Sequence, residues 1–270
     1  MFSCFENFRV RAFSIHLLIS ALVAILVASI IFFVWYPYPY REISGGAELF
    51  WMIVSIDVIL GPLMTLVVSR PGKSFRALRF DYVVIAALQL GALGYGTWTM
   101  AQARPVHMVW ENDLFRVAHV SDILPDQALF APDGIKPYPW TGPDIIAIKL
   151  PEKRKDKEKI LFDTLDSGVF EAYNPKLWVL YEKVRDNVVK SATPLRVILQ
   201  NHPDFREQAE QILQKNGKSE NDIVCALLVG RNFTEWTILL DKSDALPIGY
   251  FQASLVKREE NPANSSHKEE

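Results

Sequence analysis

The feature that most constrains this chain is a run of 22 residues without a charged side chain, residues 15–36 (IHLLISALVAILVASIIFFVWY). A helix of that length is about 33 Å long and matches the hydrocarbon core of a bilayer. Two further runs follow, residues 47–68 (AELFWMIVSIDVILGPLMTLVV) and 82–101 (YVVIAALQLGALGYGTWTMA). All three together hold only two charges, Glu48 and Asp57. The pattern predicts three transmembrane helices.

Arg9 and Arg11 precede the first run, as they would in a signal peptide. The run is longer than a signal-peptide core of about 7–15 residues. It also ends in Trp35-Tyr36-Pro37-Tyr38-Pro39-Tyr40, an aromatic belt suited to a membrane interface rather than a small-residue cleavage site. An uncleaved helix is expected. Orientation follows from Lys and Arg near the helix ends. Arg9, Arg11, Arg70, Lys73, Arg76 and Arg79 fall on one side, against Arg41 and Arg104 on the other. The N-terminus is therefore expected in the cytoplasm, with residues 105–256 outside it.

Composition agrees once it is divided. A net charge of −2 and 50% apolar residues resemble a soluble protein. Yet residues 1–104 hold only 8 of the 29 Lys/Arg and 5 of the 31 Asp/Glu. The averages hide a basic-flanked anchor (1–104) and an acidic polar region. That excludes a single soluble globule, a disordered chain and a disulfide scaffold, and it argues against a nucleic-acid partner. Cys4 and Cys225 lie on opposite sides of the expected membrane, so no pairing is expected.

Asp57 sits near the middle of the second run, where a carboxylate costs several kcal/mol unless it is paired, protonated or hydrated. Two roles are open: a proton or ion site, or a polar anchor within or between helices. Gln89 of the third run is a candidate partner. Gly61-Pro62 is expected to kink the second helix, because Pro62 lacks a backbone donor. In the third run, Ala87/Gly91 and Ala92/Gly96 have the spacing that lets helices approach closely.

Residues 105–256 read as an α+β domain, and 257–270 as a disordered tail. Strands are expected at 106–111 and 114–120 around an Asn112-Asp113 turn, at 145–150 and at 195–199. A meander is expected over 223–229, 235–240 and 248–255. Helices are expected at 177–190 and at 203–216, the latter stopped by Gly217, and the charged stretch 151–159 reads as a solvated helix start. Residues 121–144 read as loop. No nucleophile motif, phosphate loop or metal-ligand spacing occurs, and His107 with His119 alone makes a weak metal site. No catalytic residue, cofactor or metal is expected. The fold class is thus a membrane protein with three transmembrane α-helices followed by a C-terminal α+β extracytoplasmic domain.

Several segments together resemble the TfpX/TfpZ family of type IV pilin accessory proteins. They are Asp57-Val-Ile-Leu-Gly61-Pro62-Leu-Met-Thr65, Arg79-Phe-Asp81, Gln89-Leu-Gly91-Ala-Leu-Gly-Tyr95-Gly96 and Ala103-Arg104-Pro105-Val106. The resemblance is most specific over residues 55–120. It implies a bacterial inner-membrane protein that promotes pilus assembly or pilin handling and is not an enzyme. It directs attention to Asp57, Gly61, Pro62, Asp81, Gln89, Gly91, Tyr95, Gly96, Arg104 and Pro105 as packing or interaction residues, with the type IV pilin and the lipid bilayer as partners. The chain is not expected to be a pilin itself, since residues 1–10 offer no arrangement like a pilin leader. Two rivals stand beside this reading: a membrane-anchored periplasmic sensor or ligand-binding protein, and a membrane-anchored periplasmic enzyme.

Overall fold

The computed structural model describes residues 2–70, 72–111, 113–151 and 170–256, with side chains of the first helix from residue 8 onward. The expected tail at 257–270, Asn112 of the first turn, and the charged stretch 151–159 beyond Pro151 lie outside the described residues. Two compact units form. One comprises Met1–Val106, His119–Asp122 and Tyr138–Pro143; the other comprises His107–Ala118, Ile123–Pro137 and Asp144–Glu270.

The first unit is built on three helices long and apolar enough to cross a membrane, Phe8–Trp35, Gly46–Val68 and Phe75–Ala103. They cover the expected runs except for Tyr36 at the end of the first, and extend past them at most other ends, because helix formation continues into flanking polar residues. The first span joins α1 (Phe2–Ile30) to a π turn at Ile31–Trp35. A short α2 (Tyr40–Ile43) follows the aromatic-proline segment. The second span is α3 (Gly46–Ser55), a π turn at Ile56–Leu60 and α4 (Gly61–Val68). The third is the single helix α5 (Phe75–Ala103), whose cap Ser74 accepts from the Ala77 amide at 3.3 Å.

Immediately before Gly61-Pro62, where a kink is expected, the second span has that π turn. A proline inside a helix leaves an upstream carbonyl without a donor. In the π register the Asp57 carbonyl faces the nitrogen of Pro62, which has no hydrogen. One extra residue in the turn thus moves the missing donor onto Asp57.

The spans pack through Ile31, Trp35 and Tyr36 of the first, Phe50 and Val54 of the second, and Met100 of the third. Gly96 lies against the second span, where an added Cβ would stand 2.5 Å from Ile53 Cγ2. Within the same unit, Gly142 donates to the Val34 carbonyl at 2.8 Å and Val120 to the Arg104 carbonyl at 3.1 Å.

The second unit carries an α/β fold around one mixed sheet. Its strands are β1 (Pro105–Glu111), β2 (Leu114–His119), β3 (Asp144–Ile148), β4 (Trp178–Leu180), β5 (Thr193–Pro194), β6 (Ile223–Val229), β7 (Glu235–Asp241) and β8 (Pro247–Phe251). Their order is β4-β3-β1-β2-β6-β7-β8, with β5 on β6. The β1–β3 and β2–β6 pairs are parallel, and the others described are antiparallel. All seven residues of β6, Ile-Val-Cys-Ala-Leu-Leu-Val, are buried, as a strand covered on both faces requires. The C-terminal meander falls close to its expected place.

Between these strands lie the short α6 (Pro125–Ala128), α7 (Arg185–Ser191), α8 (Leu195–Asn201) and α9 (Arg206–Asn216). Two expectations are corrected. The strand expected at 195–199 is the helix α8. Leu195, Ile198 and Leu199 are buried at helical spacing, and Pro194 ends the preceding two-residue strand. The helix expected at 177–190 is divided. Trp178–Leu180 pairs with β3, a 3-10 turn covers Tyr181–Lys183, and the α-helix begins only at Arg185. Sheet pairing overrides the apolar periodicity there. Gly217 closes α9 in the left-handed conformation, φ 63°.

Candidate functional site

The distinctive chemistry of the first unit is a line of polar side chains inside the spans. Tyr82 Oη lies 2.8 Å from Ser69 Oγ, and Ser69 Oγ donates to the Thr65 carbonyl at 2.6 Å. Thr65 Oγ1 stands 2.5 Å from His16 Nδ1, and His16 Nε2 stands 2.7 Å from Gln89 Oε1. Gln89 Nε2 completes the line by donating to the Asp57 carbonyl at 3.0 Å.

The roles follow from the donors available. A backbone carbonyl only accepts, so the nitrogen of the Gln89 amide points to Asp57 and its oxygen to His16. His16 must then carry a proton on Nε2, and with that tautomer Nδ1 accepts from the Thr65 hydroxyl. The line ties all three spans together in a medium that offers no water to replace a lost partner. Gly61 leaves room for it: a Cβ there would lie 1.9 Å from Gln89 Nε2.

Gln89 therefore meets Asp57, but through the backbone. Both Asp57 carboxyl oxygens are buried and lack a hydrogen-bond partner among the described residues. Asp57 is one of the residues that line a cavity of about 190 Å³, with His16, Ser20, Ala24, Val54, Ala86 and Leu93. A larger cavity of about 530 Å³ continues along the first span and is lined by Phe8, Arg11, Ile15, Ile19 and Ile85, with Thr65 and Tyr82.

The other expected residues are placed as follows. Pro62 opens α4 and is buried. Asp81, near the start of the third span, forms an ion pair with Lys73, which lies just before it. Gly91 faces open space with nothing within 4 Å of an added Cβ. Tyr95 is 70% exposed and lies near Trp98. Arg104, 8% exposed, donates to the Ala101 carbonyl at 2.7 Å and to the Pro139 carbonyl at 3.4 Å. Its guanidinium lies over the rings of Trp35 and Trp140, which meet edge to face at 5.5 Å. Pro105 begins β1 and is buried. The residues thus form two groups, Asp57–Gly61–Pro62–Gln89 and Arg104–Pro105, with Gly91 and Tyr95 facing outward. His16, Thr65, Trp35 and Trp140 were not singled out as site residues from the sequence. A lone histidine in an apolar run was the only available signal for the first of them.

In the second unit, His107 Nε2 donates to the Pro137 carbonyl at 3.3 Å and the ring packs on Trp178 at 4.8 Å. Burial drives its pKa down to about 4. Glu111 pairs with Arg116 at 2.8 Å, yet burial still raises its carboxyl above the usual range. His119, in the first unit, pairs with Asp122. Among the described residues no group of His, Cys, Asp or Glu is arranged to hold a metal ion.

A chain with three membrane-length apolar helices and a mixed-sheet α/β unit belongs to the class of multi-span membrane proteins with a substantial polar domain. Comparison with known proteins makes the assignment more specific. The signature of the family described as fimbrial assembly protein FimB matches residues 6–45. The fimbrial assembly protein of serogroup I from Dichelobacter nodosus is 34% identical over 253 residues, covering 87% of this chain and 92% of the relative. The serogroup E1 protein of the same organism is 34% identical over 240 residues with the same coverage. That of serogroups C1 and C2 is 43% identical over 120 residues, 44% of this chain and 92% of that protein. The chain belongs to the fimbrial assembly protein family. No solved structure matches it.

Proposed function

We propose that the protein is a bacterial inner-membrane accessory factor of the TfpX/TfpZ type, which assists type IV pilus biogenesis by contacting the pilin before or during assembly. It acts by binding and not by catalysis. The observation that carries this reading is the likeness to proteins named fimbrial assembly protein along 92% of their length. The three spans support a place in the membrane. The excess of Lys and Arg at the N-terminal flank and the second loop supports an N-terminus in the cytoplasm and a periplasmic α/β domain. A subunit held in the membrane by an apolar helix, with its head outside, is met on both sides of the interface by a helper of this plan.

A clean deletion tests the function. Sheared surface pilin is compared with total cellular pilin, and surface pilin is expected to fall while total pilin persists. Unchanged surface pilin refutes the proposal. A reporter active only in the periplasm, fused after Val256, is expected to be active; an inactive fusion overturns the topology.

A further inference from the structure

Two loops of the chain are fixed to the ends of spans. Val120 donates to the carbonyl of Arg104, which directly follows the third span, Phe75–Ala103. Gly142 donates to the carbonyl of Val34, in the last turn of the first span, Phe8–Trp35. Three successive crossings put these two span ends on the same face of a membrane, and the Arg104 guanidinium over the Trp35 ring joins them directly. The segment between the two loops, Ile123–Pro137, thus leaves from one membrane interface and returns to it. It exposes large apolar side chains: Leu129 is 86% exposed, Phe130 55% and Leu124 42%. One compact turn holds all three. Leu124 and Leu129 flank α6, the Ala128 amide donates to the Leu124 carbonyl at 3.0 Å, and the Phe130 amide donates to the Gln127 carbonyl at 2.9 Å. The Lys176 ammonium lies 4.2 Å from the centre of the Phe130 ring.

We propose that this turn rests on the surface of the bilayer that holds the spans, with Leu124, Leu129 and Phe130 at the boundary of headgroups and acyl chains and Lys176 at the level of the phosphates. The occupant follows from continuity. Leu124 is two residues beyond Asp122, the end of the loop fixed at Arg104, and two residues reach at most about 7 Å. Lipid is present at that span end whatever else the protein binds. The chemistry fits as well: apolar side chains edged by a lysine, whose stem packs on an aromatic ring while its ammonium points to water, match the two layers of an interface. Asp126 and Asp133 lie on the same segment, so apolar burial carries the contact and anionic lipid is not required. The surface goes beyond the pilin-handling reading and does not rest on it.

The test uses the full chain in vesicles of phosphatidylethanolamine and phosphatidylglycerol. A benzophenone amino acid replaces Leu129 or Phe130, the exposed Phe233 of the β6–β7 turn as a control, or the exposed Leu26 of the first span as the measure of full lipid contact. Irradiation is expected to give lipid adduct at Leu129 and Phe130 at least about fivefold above that at Phe233, a difference of about 1 kcal/mol in occupancy. Leu124→Glu changes an exposed side chain and should lower the Phe130 adduct by about the same factor, whereas Leu124→Ile should keep it. Yields no higher than at Phe233, adducts only with a second copy, or a Phe130 adduct indifferent to Leu124→Glu overturn the proposal. Absence of lipid adduct at Leu26 refutes the spans on which it rests. In pilin-bearing cells the same positions should still label lipid, and a pilin adduct in place of the lipid adduct overturns the lipid assignment. The vesicles hold no pilin, so their outcome stands apart from the surface-pilin result of the deletion.

Discussion

Gln89 and Asp57 meet through the backbone: the Gln89 amide donates to the Asp57 carbonyl at 3.0 Å, while both Asp57 carboxyl oxygens stay unpaired among the described residues. The cause lies five residues downstream of Asp57. Pro62 supplies no donor to the π turn, so a side chain from the third span supplies one. The same amide holds His16, so an imperfection in the second span becomes the point where three spans are joined.

That junction makes Gly61 and Gln89 energetically coupled. An alanine at Gly61 would put its Cβ 1.9 Å from Gln89 Nε2 and expel the amide from both bonds. Gly61→Ala is expected to lower stability by about 1–3 kcal/mol, the scale of overpacking plus lost interhelical bonds. In a Gln89→Ala background the added cost should fall below about 0.5 kcal/mol, because the clashing group is gone. Reversible unfolding in mixed micelles measures both. Equal cost in the two backgrounds would contradict the coupling.

Gly91 and Gly96 look equivalent by spacing but differ in surroundings. A Cβ on Gly96 would stand 2.5 Å from Ile53, whereas one on Gly91 would meet nothing within 4 Å. Gly96→Leu is expected to destabilise the bundle by about 1–3 kcal/mol and Gly91→Leu by less than about 0.5 kcal/mol. Unfolding of the two variants in one detergent decides it; similar losses would show that both faces are packed.

Arg104 is held by geometry that lysine does not reproduce. Its planar guanidinium lies over Trp35 and Trp140 while donating to the Ala101 and Pro139 carbonyls. Arg104→Lys is expected to cost about 1–2 kcal/mol, since a point-charge ammonium loses the stacking and one of the directed bonds. Thermal unfolding in detergent measures it. A loss confined to Arg104→Ala, with Lys neutral, would reduce the role of Arg104 to charge alone.

The spans were legible because membrane solvation leaves a signal of length and missing charge that no soluble element imitates. The buried strand Ile223–Val229 was legible for a similar reason, as an unbroken apolar run between turn residues. Residues 195–199 were not, because a short apolar run satisfies strand and helix alike, and the helix runs on to Asn201. The polar line escaped notice because its bonds to the first span are remote in sequence: His16 reaches Thr65 across 49 positions and Gln89 across 73. Asp57 and Gln89 could be paired by depth alone. That Gln89 would take the carbonyl and leave the carboxyl free depends on the π turn, which no residue pattern announces. Trp140 lies in a stretch that reads only as loop, and its place beside Trp35 is a tertiary fact.

His107 gives the second unit a pH dependence whose sign can be worked out. It is fully buried, and burial depresses its folded pKa to about 4 from an ordinary value near 6.5. Between these values the unfolded chain binds more protons than the folded one, so stability falls as pH drops from about 6.5 toward about 4 and levels off below. The slope approaches about 1.4 kcal/mol per pH unit from this one group, roughly 3 kcal/mol over the window. Glu111 acts in the opposite sense: its carboxyl is raised by burial, so its contribution is lost as pH rises through the folded pKa. Comparison with His107→Gln separates the two. Wild-type protein should lose stability on going from pH 7 to pH 5, and the variant should lose at least 1 kcal/mol less, on the order expected for removing one such group. Parallel losses in the two proteins would show that His107 is protonated in the folded state at pH 5.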